Sequence, residues 1–221
     1  MQNRHADYTA GQRRYRPSLP TTVLKLASNT DNSNRPMDFQ HAIDEVCGQL
    51  DQAGLHYALI GGFAMAMRGV QRATVDLDFL LLLEDLEKAD EILQAAGYNR
   101  YYHSDNISHY RSEAPDSGRI DILHAFRSPS IGMLDRAERL AITPERRVPV
   151  LQSEDIIGLK IQATVNDPQR ETQDWLDIRL LLQSAAHDGR SIDWHLIGDY
   201  LDIFNMSGRL SELKHWYGQT D

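Results

Sequence analysis

Hydrophobic side chains along the chain follow two different patterns, which divide it into two regions. Between residues 38 and 124, segments with helical spacing of apolar residues alternate with short apolar runs. Gly and Pro residues mark the boundaries of these segments. This pattern predicts helices and strands of one α/β core. In order, we expect a helix over 38–53, a strand over 57–60, a short helix over 63–68, a strand over 75–82, a helix over 84–96 and strands over 107–113 and 119–124.

After Pro149 the spacing is helical throughout, and it predicts helices over 153–165, 171–186, 193–204 and 210–216. The Pro-Asp-Ser-Gly sequence at 115–118 is a turn signal that joins the last two strands of the core into a hairpin. We therefore expect a mixed sheet in which the strands carrying Asp76 and Asp121 are neighbours. The predicted fold class is α+β, a small mixed sheet with flanking helices followed by a helical C-terminal region.

Residues 1–36 have a different composition, rich in Arg, Asn, Ser and Pro and without sustained periodicity, which predicts a disordered or extended leader. They carry six basic and two acidic residues, a formal charge of +4 in a chain of −9, which leaves −13 for residues 37–221. The leader is either solvated or a contact for an acidic partner. We expect three segments: this leader, an α/β core over 37–150 and a helical region over 151–221.

Composition narrows the class of protein. No apolar run approaches the roughly 20 residues of a membrane-spanning helix, and the first residues lack the apolar segment of a secretory signal. The single Cys47 excludes an internal disulfide and fits a reducing cytoplasm. The acidic body argues against sequence-independent nucleic-acid binding, which depends on neutralised phosphates, whereas the basic leader argues for it.

The residues that carry chemistry follow the ends of predicted strands. Gly61 and Gly62 let the backbone approach a ligand, and the short helix after them offers its N-terminal N–H groups to phosphate. Asp76 and Asp78 alternate with an apolar residue on one strand, so both carboxylates share a face. Asp121 alternates with two isoleucines on a later strand. If these strands pair, three carboxylates meet.

Three such carboxylates are the ligands that Mg²⁺ or Mn²⁺ prefers, usually together with substrate phosphates. Around two metal ions they form the arrangement of in-line phosphoryl transfer. Asp-x-Asp, Gly-Gly and a lone strand aspartate are each weak signals. Their occurrence together, in this order and on these elements, is much more specific.

This combination of Gly61-Gly62, Asp76-x-Asp78 and Asp121 resembles the DNA polymerase β-type nucleotidyltransferase superfamily, in particular the AbiEii-type and MenT-type toxins, over residues 38–182. The resemblance implies the nucleotidyltransferase fold and a magnesium-dependent enzyme. It implies that Asp76 and Asp78 bridge two Mg²⁺ ions, and that Asp121 binds the catalytic metal and helps to deprotonate the attacking hydroxyl. It also implies that the two glycines line the triphosphate.

A later block matches the same relatives. Lys160, on the first C-terminal helix, is interpreted either as a nucleotide-phosphate contact or as a surface lysine. Asp174 and Asp177 share one helix face, where they are functional, part of a solvated face, or in a salt bridge with Arg170. Arg72 either steadies phosphate or is a solvated loop arginine.

The sequence departs from these relatives at two places. Gly62 stands where many of them have Ser, and Gln173 where many have Lys; both differences concern nucleotide affinity more than metal binding. The Arg-Asp pair that tRNA-tailing relatives carry after Gly-Gly is absent. Three histidines give no zinc-binding spacing with Cys47, and one of them, His124, is expected to face away from Asp121 as a structural residue.

The sequence therefore predicts a metal-dependent enzyme that transfers a nucleoside monophosphate from a nucleoside triphosphate to a hydroxyl of RNA, protein or a small molecule. A toxin acting in a toxin–antitoxin pair, with an antitoxin protein as partner, and an antibiotic-modifying enzyme both fall within this prediction. The alternative is a non-catalytic interaction module that kept the fold. A glycosyltransferase using Asp-x-Asp is disfavoured because it assigns no role to Gly61-Gly62 or Asp121.

Overall fold

The computed structural model describes residues 39–71, 74, 76–113, 118–143 and 146–218. Within them the strands are β1 (Tyr57–Ile60), β2 (Asp76–Leu82), β3 (Tyr98–His103), β4 (Ile107–Ser112), β5 (Arg119–Ala125), β6 (Glu138–Ala141) and β7 (Arg147–Val150). The α-helices are α1 (Phe39–Gln52), α2 (Gly61–Met67), α3 (Leu86–Ala95), α4 (Ser128–Asp135), α5 (Ser153–Asn166), α6 (Glu171–His187), α7 (Trp194–Ile203) and α8 (Leu210–Gly218). No helix of these described residues is long and apolar enough to cross a membrane.

All seven strands form one mixed sheet in the order β3-β4-β5-β2-β1-β7-β6. Strand β2 runs parallel to β5 and β1 runs parallel to β7, whereas the other neighbours are antiparallel. The predicted mixed sheet and the pairing of the Asp76 and Asp121 strands are therefore confirmed. One row of paired residues crosses the sheet, and it consists of Ile60, Asp78, Asp121, His109 and Tyr102.

The two faces of β2 differ as the alternation predicts. Leu77 and Phe79 are fully buried on one face, where Tyr57 meets Phe79 edge to face and donates a hydrogen bond from its hydroxyl to the Cys47 carbonyl of α1. Helix α1 therefore covers this face. The opposite face carries Asp76 and Asp78, which are only partly covered.

The C-terminal helices α5 to α8 confirm the predicted helical region, and Arg68 ties them to the sheet. The buried Arg68 guanidinium donates to the Leu151 carbonyl and pairs with Glu138, at 2.9 Å and 2.7 Å. Its own carbonyl accepts hydrogen bonds from Ser184 and Arg190, at 2.9 Å and 2.7 Å. One residue at the end of α2 thus joins the sheet to α6 and to the chain that follows it.

Several elements differ from the sequence-based expectation. Helix α2 begins at Gly61 rather than at residue 63, and a 3₁₀ turn at Leu83–Asp85 precedes α3. The sequence pattern did not predict β3, β6, β7 or α4. Strand β3 lies at the edge of the sheet and is polar and mostly exposed, so it lacks the apolar alternation that identifies a strand. The predicted leader over 1–36 lies outside the described residues. Of the predicted turn over 115–118, only Gly118 is described.

Candidate active site

Asp78 lies at the centre of the site, packed directly against Gly61. Gly61 has φ +63°, a left-handed conformation that side chains other than glycine rarely adopt. A Cβ atom at this position would lie 1.9 Å from Asp78 Oδ2. Glycine is therefore required here twice, by the backbone turn and by the approach of the carboxylate.

The Asp78 carboxyl lies in an environment that disfavours its charge. Burial, followed by the neighbouring carboxylates of Asp121 and Asp76, raises its pKa from 3.8 to about 7. The Lys160 ammonium and a hydrogen bond from the Gly62 backbone N–H oppose this rise in pKa. The three predicted carboxylates thus lie close enough to repel one another, which a bound cation would relieve.

Each of the outer two carboxylates has a basic partner. Asp76 accepts two hydrogen bonds from Arg119, at 2.6 Å from Nη2 and 3.0 Å from Nε, and these bonds raise the pKa of the guanidinium. Asp121 Oδ1 lies 2.6 Å from His109 Nδ1. The sequence pattern predicted neither partner. Period-two alternation would have found Arg119, because it lies two residues before Asp121 and shares its face.

Two of the three carboxylates are engaged by basic side chains. Within the described segments, no group of three or more His, Cys, Asp or Glu residues is arranged to hold a metal ion. Asp76 and Asp121 instead turn toward Arg119 and His109. The donor set itself, three hard carboxylate ligands on adjacent strands with mutual repulsion, fits Mg²⁺ or Mn²⁺.

Lys160, Asp174 and Asp177 form a buried ion-pair cluster between α5 and α6. Lys160 Nζ lies 2.7 Å from Asp174 Oδ1 and 2.6 Å from Asp177 Oδ2, and both carboxylates are fully buried. The interpretations of Lys160 as a surface lysine and of the aspartates as a solvated face are therefore wrong. The ion pair of Arg170 with Asp174 is present at 3.8 Å. The packing of two different helices brings these charges together. The spacing of residues along either helix alone cannot show this contact.

The remaining predicted site residues are Gly62 and Arg72. A Cβ atom on Gly62 would lie 2.8 Å from Thr74 Cβ and 3.0 Å from its hydroxyl oxygen. Thr74 therefore fills the space that a serine at position 62 would need. Arg72 lies outside the described residues.

On the opposite face of β4 and β5, a chain of hydrogen bonds links the exposed His103 to the buried Ser108 and His124. Ser108 Oγ lies 2.9 Å from His103 Nδ1 and 3.0 Å from His124 Nε2, and the second nitrogen of His124 lies 3.0 Å from the Asp105 carbonyl. Burial lowers the pKa of His124. The prediction that His124 faces away from Asp121 is confirmed.

A mixed sheet with carboxylates on two adjacent parallel strands, next to a glycine turn and followed by a helical region, defines a nucleotidyltransferase-fold protein. Residues 8–206 match the model of a family described as uncharacterised nucleotidyltransferase, and the chain belongs to this family. No curated protein matches the sequence. The narrower assignment to AbiEii-type or MenT-type toxins stays a prediction.

Solved structures share this fold. The solution structure of the antibiotic-resistance factor ANT(2'')-Ia has a TM-score of 0.56 and 17% identity, covering 81% of this chain and 97% of that one. The crystal structure of ANT(2'')-Ia with adenylyl-2''-tobramycin has a TM-score of 0.54 and 17% identity, over 74% and 97%. An antigenic nucleotidyltransferase-like protein from Paracoccidioides brasiliensis has a TM-score of 0.51 and 15% identity, over 84% and 95%. At such identities the likeness concerns the fold.

Proposed function

We propose that this protein transfers a nucleoside monophosphate from a nucleoside triphosphate to a hydroxyl group of an acceptor. One observation carries the proposal. Asp76, Asp78 and Asp121 share one face of two paired strands, with Asp78 directly opposite Asp121 in the register and in contact with Gly61. A module that only binds a partner has no physical need for three mutually repelling acids at this position.

In the proposed reaction the acceptor oxygen forms a bond to the α-phosphorus, and the bond from that phosphorus to the bridging oxygen of the β-phosphate breaks. Pyrophosphate leaves with the bonding electrons, and the hydroxyl proton passes to the Asp121 carboxylate. The contact of Asp121 with His109, at 2.6 Å, orients that carboxylate. Gly61 and Gly62 line the triphosphate, on the β1 side of Asp78.

We further propose that Asp76, Asp78 and Asp121 hold Mg²⁺ or Mn²⁺. Such ions supply charge stabilisation at the transferring phosphoryl group. For Asp76 to serve as a ligand, Arg119 must release it; Arg119 is half-exposed and can turn toward an incoming phosphate. The release converts an internal ion pair into a contact with substrate.

Lys160 and Arg72 complete the proposed nucleotide contacts. An ammonium group has three N–H donors, and Asp174 and Asp177 use two of those of Lys160. The third N–H donor is left for a phosphate oxygen beside Asp78. The Lys160 ammonium is close enough to Asp78 to oppose the rise in the pKa of that carboxyl. Arg72 is assigned only from its position in the sequence, just before the strand that carries Asp76 and Asp78.

The choice of acceptor is separate from this chemistry. ANT(2'')-Ia is an antibiotic-resistance factor, but a fold likeness at 17% identity does not carry its acceptor to this chain. The toxin role implied by the sequence resemblance belongs to the proposal as well. Induced expression in a bacterial host tests it, because growth arrest should occur with the wild-type chain and disappear with Asp78→Asn.

The central experiment measures binding and transfer on the same samples. Thermal unfolding is followed with Mg²⁺ alone, with each nucleoside triphosphate alone and with both, since a ligand of the native state raises its apparent stability. Only the combination should raise the melting temperature. Transfer is then measured as incorporation of α-³²P label into fractions of cell extract.

Asp78→Asn and Asp121→Asn should abolish incorporation without unfolding the protein. Asp199→Asn is the matched control, since Asp199 is exposed on α7 and pairs only with His195 among the contacts described. Equal incorporation by wild type, Asp121→Asn and Asp199→Asn would refute the three-carboxylate mechanism.

A further inference from the structure

Beside the carboxylates, the edge of the sheet carries two exposed tyrosines. Tyr101 and Tyr102 expose 53% and 49% of their surface, so two neighbouring aromatic rings are open to solvent. Both lie on β3, which among the described strands pairs only with β4. The proposed chemistry makes no use of them.

A β-bulge turns both tyrosines toward the site. The register of β3 against β4 shifts between Arg100 and Tyr102, so an extra residue, Tyr101, lies opposite the same stretch of β4. The two rings lie 5.9 Å and 5.1 Å from the His109 ring, measured between centroids. In a regular strand, neighbouring residues would point to opposite faces. The bulge therefore builds one aromatic surface from Tyr101, Tyr102 and His109, called here the tyrosine face.

The tyrosine face is continuous with the carboxylates. Tyr102, His109, Asp121 and Asp78 belong to one cross-strand row, and His109 contacts Asp121. Strands are spaced about 4.8 Å apart, so Tyr102 lies about 10 Å from Asp121 along the sheet. Gly61 lies on the other side of Asp78. In an in-line displacement the leaving pyrophosphate and the attacking oxygen are on opposite sides of the phosphorus, which assigns the tyrosine face to the acceptor.

The charge around the tyrosine face narrows the acceptor further. Arg111 lies over the Tyr101 ring at 5.7 Å from its centroid, and Arg119 projects from the strand next to it. Aromatic rings alternating with arginines bind unpaired bases by stacking and phosphates by charge.

We propose that the tyrosine face holds an unpaired nucleotide at the end of a nucleic-acid strand, whose terminal hydroxyl is the acceptor. This inference rests on the proposed nucleotidyl transfer. The terminal hydroxyl oxygen gains the bond to the α-phosphorus, pyrophosphate leaves, and the strand grows by one nucleotide. Stacking on Tyr101 and Tyr102 fixes the terminal base, and Arg111 contacts a phosphate of the strand.

The test uses fluorescein-labelled single strands of 12 nucleotides, one RNA and one DNA, with fluorescence anisotropy as the readout. Tyr101→Leu and Tyr102→Leu should each weaken binding at least about fivefold, from the known worth of base–aromatic stacking. Tyr102→Phe keeps the ring and should bind like wild type. Ile203→Ala removes an equally exposed apolar side chain from α7 and is the matched control.

Arg111→Gln provides a second, independent measurement. If Arg111 contacts one phosphate of a single strand, the slope of log K against log salt should become less steep by about 0.7. This variant also decides the outcome if a leucine variant fails to fold. Equal affinity of wild type and both leucine variants, or an unchanged salt slope in Arg111→Gln, would overturn the tyrosine face as a nucleic-acid site.

Transfer is measured on strands that end in a 3′-hydroxyl or a 3′-phosphate, with α-³²P-labelled nucleotide. Label should enter only the hydroxyl-ended strand, and Tyr102→Leu should raise its KM more than it lowers kcat. If nucleotide and Mg²⁺ stabilise the protein but neither strand binds, the acceptor assignment fails and the proposed function stands. If the strands bind through the tyrosines but no triphosphate binds, nucleotidyl transfer fails instead.

Discussion

The substitution Asp78→Asn should raise the stability of the metal-free protein while it abolishes nucleotidyl transfer. In the folded protein the Asp78 carboxyl is buried next to two other carboxylates, whereas in the unfolded chain it is solvated. The pKa is therefore about 7 in the folded state and 3.8 in the unfolded state. Asparagine keeps the shape and can still accept the hydrogen bond from Gly62, but it removes the charge.

The sign and size of the effect follow from this difference. Between pH 4 and 7 the folded state binds more protons than the unfolded state, so the Asp78 contribution to stability is lost as the pH rises and stays lost above about 7. Three pKa units at about 1.4 kcal/mol each give an upper limit of about 4 kcal/mol. Because a buried amide also has a desolvation cost, we expect Asp78→Asn to stabilise the metal-free protein by about 1–3 kcal/mol at pH 8.

Thermal and urea unfolding in the presence of a chelator measure this gain. For a chain of this length it corresponds to a melting temperature about 3 to 10 °C higher than wild type. The difference should shrink as the pH falls and vanish near pH 4, whereas Asp199→Asn should show no such window. If Asp78→Asn is equally or less stable than wild type at pH 8, the carboxylates do not repel one another as inferred.

Four further predictions concern two residues of the site and two on the other side of the sheet. Lys160→Ala should lower the free energy of unfolding by about 3–5 kcal/mol, because it leaves two buried carboxylates uncompensated; a urea titration matching wild type would contradict this. Gly62→Ser should cost about 1–3 kcal/mol through its clash with Thr74, and adding Thr74→Ala should restore the stability. Burial raises the pKa of the Cys47 thiol to about 12, so it should react with a disulfide reagent at pH 8 only after unfolding; stoichiometric reaction of the native protein would refute its burial. Burial lowers the pKa of His124 in the fold below the ordinary value of 6.5 that it keeps in the unfolded chain, so stability should fall below that pH less steeply in His124→Gln than in wild type.

The sequence predicted the parts of the fold whose side chains follow a period. The strand with Asp76 and Asp78 alternates polar and apolar residues, so its two faces could be assigned without a structure. Strand β7 contains Pro149, and β3 is an exposed polar edge, so neither shows the apolar pattern that identifies a strand. Strand β7 is held by pairing with β1, which lies far earlier in the chain, and β3 is held by pairing with β4. Neither pairing can be read from the residues of the strand itself.

For the candidate site the same distinction applies. Spacing along one element placed the carboxylates on a common face, but it could not show what each one contacts. The cluster of Lys160 with Asp174 and Asp177 joins two helices, and whether those side chains are solvated or buried is decided by how the helices pack. The contact between His109 and Asp121 depends on the register of their strands. The tyrosine face depends on a β-bulge, which the local sequence pattern does not predict.

The charges of the site are unbalanced. Among the described residues that meet there, the carboxylates outnumber the fixed cations by two. The cations are Arg119, Lys160 and Arg170. The carboxylates are those of Asp76, Asp78, Asp121, Asp174 and Asp177. Arg119 neutralises Asp76, and Lys160 with Arg170 offsets the two acids of α6. The excess therefore falls on Asp78 and Asp121, the pair that lies side by side in the register.

An anionic triphosphate cannot approach this excess of negative charge without cations of its own. Divalent ions bound between the carboxylates and the phosphates remove both repulsions at once, so metal and nucleotide should each bind weakly alone and tightly together. In the metal-free fold, burial and then the two neighbouring carboxylates raise the pKa of Asp78. If the proposed metal site is right, metal binding together with substrate should relieve this repulsion and return the pKa of Asp78 toward its ordinary value.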